Sequence, residues 1–244
     1  MALQKPKWGT PNIKANKEST MKRTVFVDIK PDSKIRVRFL PPWDSDGMLF
    51  FAAFNHYRYL DEKEKRAWAC LTRHGTEADG ACACCEMSDY LKKQRTKDEK
   101  RQGRDVEARG RWYSQVLVEG MEGEGPKLLA LSKTTADQII DILQLQATDD
   151  EAFFTDPEQG TWIQIERKGA KLETTYTVLP TSKRVPLSGL FPEWEDKMLN
   201  VQEALGLKIG DRKTQLASII ETFSKTVELD DVFPIEELTS AATE

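Results

Sequence analysis

The sequence predicts an α+β fold: a small β-barrel core carrying peripheral helices, with a metal-binding segment. Three observations predict it. About seven short runs have the alternating or continuous apolar pattern of strands. Longer stretches repeat their apolar residues at helical spacing. All 4 cysteines and both histidines of the 244-residue chain fall between His56 and Cys85.

In chain order, residues 1–23 hold Pro6, Gly9 and Pro11 without a sustained period and read as a basic flexible arm. A first strand is expected at 24–29. A second follows at 34–40, where Ile35, Val37 and Phe39 alternate with Lys34, Arg36 and Arg38. That period of two predicts an apolar face toward the core and a row of cations on the other. An extended apolar run at 48–54 is the third strand. The doubly charged stretch 86–111 suits one exposed helix, weakened at its far end by Gly103 and Gly110.

Further strands are expected at 111–119 and 127–131, then an amphipathic helix at 134–145. Residues 161–168 and 172–179 read as a hairpin with Trp162, Gln164 and Glu166 on its polar face. Helices near 193–205 and 213–225 complete the core, which runs from 24 to 227 with the metal-binding segment at about 55–110. No internal repeat is evident. Many short strands favour a barrel over a doubly wound sheet.

The Cys/His cluster carries the chemistry. Cys82-x-x-Cys85 supplies two ligands from one tight turn, Cys70 a third, and either His56 or His74 a fourth. Four filled positions leave none open for substrate, so the pattern points to a structural zinc rather than a catalytic one. Cys84 is left over, as a buried spare thiol. The opening residues lack an apolar signal core, and no run approaches membrane-spanning length, so a reducing, soluble setting is expected, where such clusters bind metal more often than they form disulfides.

Enzyme motifs are missing. There is no phosphate-binding P-loop, no His-Glu-x-x-His and no Gly-x-Ser-x-Gly. Nucleobase deaminases use similar zinc ligands but need His-x-Glu, whereas His56 is followed by Tyr57-Arg58 and His74 by Gly75-Thr76. Charge is more telling than its net value of −4. Residues 1–38 carry ten Lys and Arg against three acidic residues, while 228–244 carry six acidic residues and no cation. A basic front and an acidic tail suit a polyanion partner. Cations beside aromatics on strands, at Arg36, Arg38, Arg58 with Tyr59, Arg111 with Trp112, and at Trp162, suit phosphates and stacked bases of a single strand.

With these residues in view, the chain resembles the zinc-containing single-stranded DNA-binding proteins of tailed bacteriophages, the T-even replication type. The matching elements are Ile35 to Pro41, Asn55-His56-Tyr57, Cys70, Cys82-x-x-Cys85-Glu86, Arg111-Trp112-Tyr113, and Asp156-Pro157-Glu158-x-Gly160 leading to Tyr176. The resemblance implies an OB-fold core with an inserted zinc subdomain, one Zn2+ held by His56, Cys70, Cys82 and Cys85, and Tyr176 among the DNA-stacking residues. It implies an N-terminal arm for cooperative self-association and an acidic tail, 228–244, that contacts phage replication proteins. Phe233, Ile235 and Leu238 would be its apolar anchors. The expected function is sequence-tolerant binding and protection of single-stranded DNA in phage replication, recombination or repair, in the host cytoplasm and without a membrane partner. The rival reading is a zinc-stabilised protein-interaction module; a zinc-dependent nuclease is weaker, since no carboxylate cluster stands out.

Overall fold

The computed structural model describes residues 25–42, 47–59, 65–75, 81–148, 153–170, 173–207 and 209–242. The expected arm at 1–23 lies outside the described residues, as do the side chains of Arg58 and Tyr59. The strands are β1 (Phe26–Val27), β2 (Ser33–Phe39), β3 (Phe51–Tyr59), β4 (Lys65–Ala69), β5 (Arg109–Val118), β6 (Lys127–Leu131), β7 (Thr161–Lys168) and β8 (Thr175–Arg184). The helices are α1 (Leu71–His74), α2 (Ala83–Lys93), α3 (Lys97–Val106), α4 (Lys133–Thr148), α5 (Leu187–Leu190), α6 (Val201–Leu205), α7 (Arg212–Phe223) and α8 (Ile235–Ala242). The α+β class expected from the sequence holds, with an 8-stranded sheet among the described residues.

The chain divides into two compact units, one from Met1–Phe51 with Tyr113–Ala204, the other from Ala52–Trp112 with Leu205–Glu244. In the first unit the strand order is β1-β6-β5-β2-β7-β8. β2 is antiparallel to β5, with Val37 opposite Val118, and to β7, with Ile35 opposite Ile165. β7 pairs antiparallel with β8, and the short β1 runs parallel to β6. The alternation expected along β2 holds only as far as Val37. Val37, Arg38 and Phe39 are all buried, because the segment around Phe154 to Gly160 covers the face that the pattern assigns to solvent.

Arg38 is thus fully buried, with 0% exposure, which corrects its expected place in a solvent-facing row. Its guanidinium donates to the carbonyls of Phe39 (3.0 Å), Phe154, Asp156 and Val185 (3.4 Å). Burial pushes its pKa down to about 10, with Asp156 opposing, so it stays a cation at neutral pH. A Cβ at Gly160 would collide with that guanidinium, which is why the turn before β7 has glycine there. Trp162 is likewise corrected: it is 4% exposed, in the core rather than on a polar face. Both faces of β7 are covered at its start, so period two fails there too.

In the second unit β3 pairs with β4 and β5, with His56 opposite Trp68 across the β3–β4 pair. The single helix expected over 86–111 is two, α2 and α3. Thr96 caps α3 by accepting from the N–H of Glu99 (3.2 Å), whose carboxylate accepts in return from the N–H of Thr96 (3.2 Å). Gly103 does not merely weaken α3. A Cβ there would meet the backbone of Lys92 at 2.8 Å and of Ser88 at 2.9 Å, so glycine is what lets α2 and α3 close on one another. Of the helix expected over 193–205, only α6 forms as a helix.

The C-terminal segment expected as a flexible acidic arm is folded through its described residues. A 3₁₀ turn at Leu229–Asp231 leads into α8, and Leu229, Phe233 (2% exposed) and Ala241 enter one buried cluster with Leu216, Ile219 and Phe223 of α7. Apolar residues at helical spacing seat the segment, while Glu228, Asp230, Asp231 and Glu236 are exposed and the half-buried Glu237 accepts from Arg212. Among the described residues, no helix is long and apolar enough to cross a membrane.

Candidate metal centre and nucleic-acid interface

Four ligand atoms meet in the second unit. β3 carries His56 to mid-strand, Cys70 follows β4 directly, Cys82 is the N-cap of α2, and Cys85 lies in its first turn. Their Nε2 and Sγ atoms all lie within 4.8 Å of one another, and all four residues except the half-buried Cys85 are buried. Sγ of Cys70 is 3.6 Å from Sγ of Cys85, and Nε2 of His56 lies 3.3 Å from Sγ of Cys82 and 3.6 Å from Sγ of Cys85. A tetrahedral ion bonded at the lengths thiolate and imidazole take on zinc requires S···S near ~3.8 Å and S···N near ~3.5 Å. These three separations match within a few tenths of an ångström and all four atoms lie within 4.8 Å of one another, so these four residues can hold a metal ion.

Neighbouring groups orient the ligands. Nδ1–H of His56 donates to the carbonyl of Val106 at 2.7 Å, which turns Nε2 toward the sulfurs. Thr72 donates to Sγ of Cys85 at 3.8 Å, and the N-terminus of α2 favours thiolate at Cys82 and Cys85. Hydrogen bonds from Cys70, Cys84 and Cys85 hold the Cys82 thiol well below its ordinary range, whereas hydrogen bonding to Cys70 and Cys82, and then burial, push Cys85 up. Burial pushes His56 down, but Cys82, Cys85 and the Val106 carbonyl outweigh it and hold it at about 10. Metal binding to such a cluster requires neutral imidazole and thiolate and so releases protons.

His74 is no ligand in this arrangement. Its Nε2 accepts the N–H of Phe54 at 2.6 Å, and burial lowers its pKa, keeping it a neutral acceptor. Cys84 is fully buried among apolar side chains, and its thiol is held up by hydrogen bonding to Cys82 and then by burial. A half-open cavity of about 260 Å³ adjoins the cluster, lined by Phe54, Arg73, Cys85, Asp89, Lys92 and Glu107 among others.

The expected DNA contacts fare unequally. Arg36 is exposed, paired with Glu119 at 3.3 Å and Gln164 at 3.4 Å, and Tyr176 on β8 is half-buried. Arg111 is exposed, and the half-buried Trp112 meets Phe54 edge-on with centroids 5.7 Å apart. Arg38 and Trp162 are in the core, as above. In the C-terminal segment Phe233 is buried, Leu238 is partly buried and Ile235 is 68% exposed. The sequence reading missed Arg73, an exposed cation 5.2 Å from the centroid of Phe54, which also contacts His74 and Trp112. Its place between Cys70 and His74 drew attention to ligands instead.

A comparison with curated proteins returns no match. A family model described as gp32 DNA binding protein like matches residues 31–227, spanning both the sheet and the Cys/His cluster. That family is one of DNA-binding proteins, not enzymes, and is the T-even type whose motifs the sequence carries. The chain belongs to the gp32 DNA-binding-protein-like family.

Proposed function

We propose that the protein binds single-stranded DNA with little regard to sequence and shields it during phage replication, recombination or repair. Membership of the gp32-like family over 31–227 is the observation that carries this reading. In it, Arg36, Arg58 and Arg111 meet phosphates, and Tyr59, Trp112 and Tyr176 stack on bases; every base has a π-face, so such contacts tolerate any sequence. Arg38 and Trp162 serve from within, as core supports of β2 and β7. The reading includes an OB-type core, supported by the antiparallel run β5-β2-β7-β8. The ion is zinc, structural and one per chain, supported by the S₃N donor set and its spacing. Contact with replication proteins would fall to the exposed side of α8, where Ile235 and Glu236 lie.

Titration with oligo(dT) at two salt concentrations tests the proposal. Binding should weaken steeply with salt, each phosphate-contacting cation adding roughly 0.7 to the slope of log K against log salt. Equal affinity for duplex and single strand, or binding indifferent to salt, would overturn it.

A further inference from the structure

Helix α7 is more than 120 residues from the ligand turns in sequence, yet two of its side chains bracket every cysteine ligand. Gln215 is 3% exposed, and its amide is spent on backbone: Nε2 donates to the carbonyl of Ala69 at 2.8 Å, and Oε1 accepts the N–H of Ala83 at 3.1 Å. Ala69 precedes Cys70 and Ala83 follows Cys82. Oε1 also lies 3.4 Å from Sγ of Cys82. One helical turn earlier, Arg212 donates to the carbonyl of Ala81 at 2.7 Å, which precedes Cys82, and bidentately to Glu86 at 3.0 and 3.0 Å, which follows Cys85. Its Nε donates to Glu237 of α8 at 2.9 Å.

Two consequences follow from the chemistry of these contacts. Cys82 caps α2 without a side-chain hydrogen bond to the helix, so the N–H of Ala83 is an orphan donor that Gln215 satisfies from another helix. The same amide ties the Cys70 turn to the Cys82 turn, fixing the separation between ligands that lie on different elements. Groups outside the ligand set that fix ligand orientation govern metal affinity strongly, since a loosened ligand pays its ordering cost on binding.

We infer that Gln215 and Arg212 are positioning residues of the metal centre, clamping the two cysteine-bearing turns so that metal retention depends on the C-terminal helices α7 and α8. The inference rests on the proposal that the His56, Cys70, Cys82, Cys85 cluster binds a metal. By reciprocity, loading the site holds α7 against α2, and weakening that docking lowers affinity for the metal.

The test uses the full chain loaded with Zn2+ or Co2+, following metal transfer to a chromogenic chelator and the cobalt–thiolate charge-transfer band. Gln215→Met keeps the side chain's bulk and removes both hydrogen bonds; it should release metal about 10- to 100-fold faster and shift the band. Ile219→Val, which trims the same helix without removing any hydrogen bond to a ligand turn, should lower thermal stability with the release rate and the band unchanged. Should Gln215→Met fail to fold, Arg212→Gln carries the same expectation through Ala81 and Glu86. Release from a folded Gln215→Met or Arg212→Gln within about two-fold of the parent overturns the clamp, as does equally fast release from Ile219→Val. A parent that takes up no Zn2+ or Co2+ overturns the metal proposal itself, a distinguishable failure.

Discussion

Among the described residues each unit has one basic side chain at 0% exposure, Arg38 in the first and His56 in the second, and the two are accommodated in opposite ways. In the first, Arg38 is enclosed by backbone carbonyls that its own strand and the turn before β7 supply, within a core of Val37, Phe39, Leu117, Phe154 and Ile163. That unit satisfies its cation from within. In the second, His56 is enclosed by sulfurs, and the core around it includes Cys70, Cys82 and Cys84. Three cysteine ligands cannot all ionise beside one imidazole without a further positive charge. The sheet unit thus satisfies its buried cation by packing and backbone carbonyls, whereas the second unit encloses a cluster that can hold a metal ion, and the two should respond differently to metal removal.

The largest expected effect of breaking this contrast is on metal removal. Structural zinc can contribute on the order of 10 kcal/mol to folding of a small unit, so Cys82→Ser should lose stoichiometric zinc and the fixed packing of α2 and α7. Elemental analysis and near-ultraviolet circular dichroism would check this; full zinc content in Cys82→Ser would count against the ligand set. Next in size, Phe233→Ala should cost about 3–5 kcal/mol in denaturant unfolding, whereas Ile235→Ala, on the exposed side of α8, should stay within about 0.5 kcal/mol. Similar costs for both would mean the C-terminal segment is not seated as described.

On the other side of the comparison, Arg38→Met would strand several carbonyls in the first unit, costing roughly 3 kcal/mol or more while leaving metal content intact. A loss of metal in that variant would show that the units are not independent in this respect. Smallest is Cys84→Ala, a one-heavy-atom truncation in the core that should cost about 1 kcal/mol and leave one metal per chain. Metal loss there would make Cys84 a ligand.

Three of the four candidate ligands were legible because chelation by a short segment leaves its spacing in the sequence: Cys82-x-x-Cys85 and Cys70 needed no tertiary knowledge. The choice between His56 and His74 did need it, since it depends on the Phe54 N–H engaging His74 and on Val106 orienting His56. Arg38 and Trp162 misled for one reason. Alternation assigns a residue to the side away from the core, but the segment before β7 makes that side a second interior. The C-terminal segment misled differently: Leu229, Phe233, Leu238 and Ala241 have the spacing of a seated helix, yet six carboxylates drew the eye to a solvated arm. Gln215 and Arg212 left no local signal, because their partners are more than 120 residues away.

Region-resolved hydrogen exchange, run on the zinc-loaded chain and again after chelation, tests the contrast between the units most directly. The account predicts that amides of α2 and α7 lose protection on chelation, while those of β2, β5 at Val116 to Val118, and β7 keep theirs. Unchanged protection in α2 and α7, or an equal loss in β2 and β7, would contradict it.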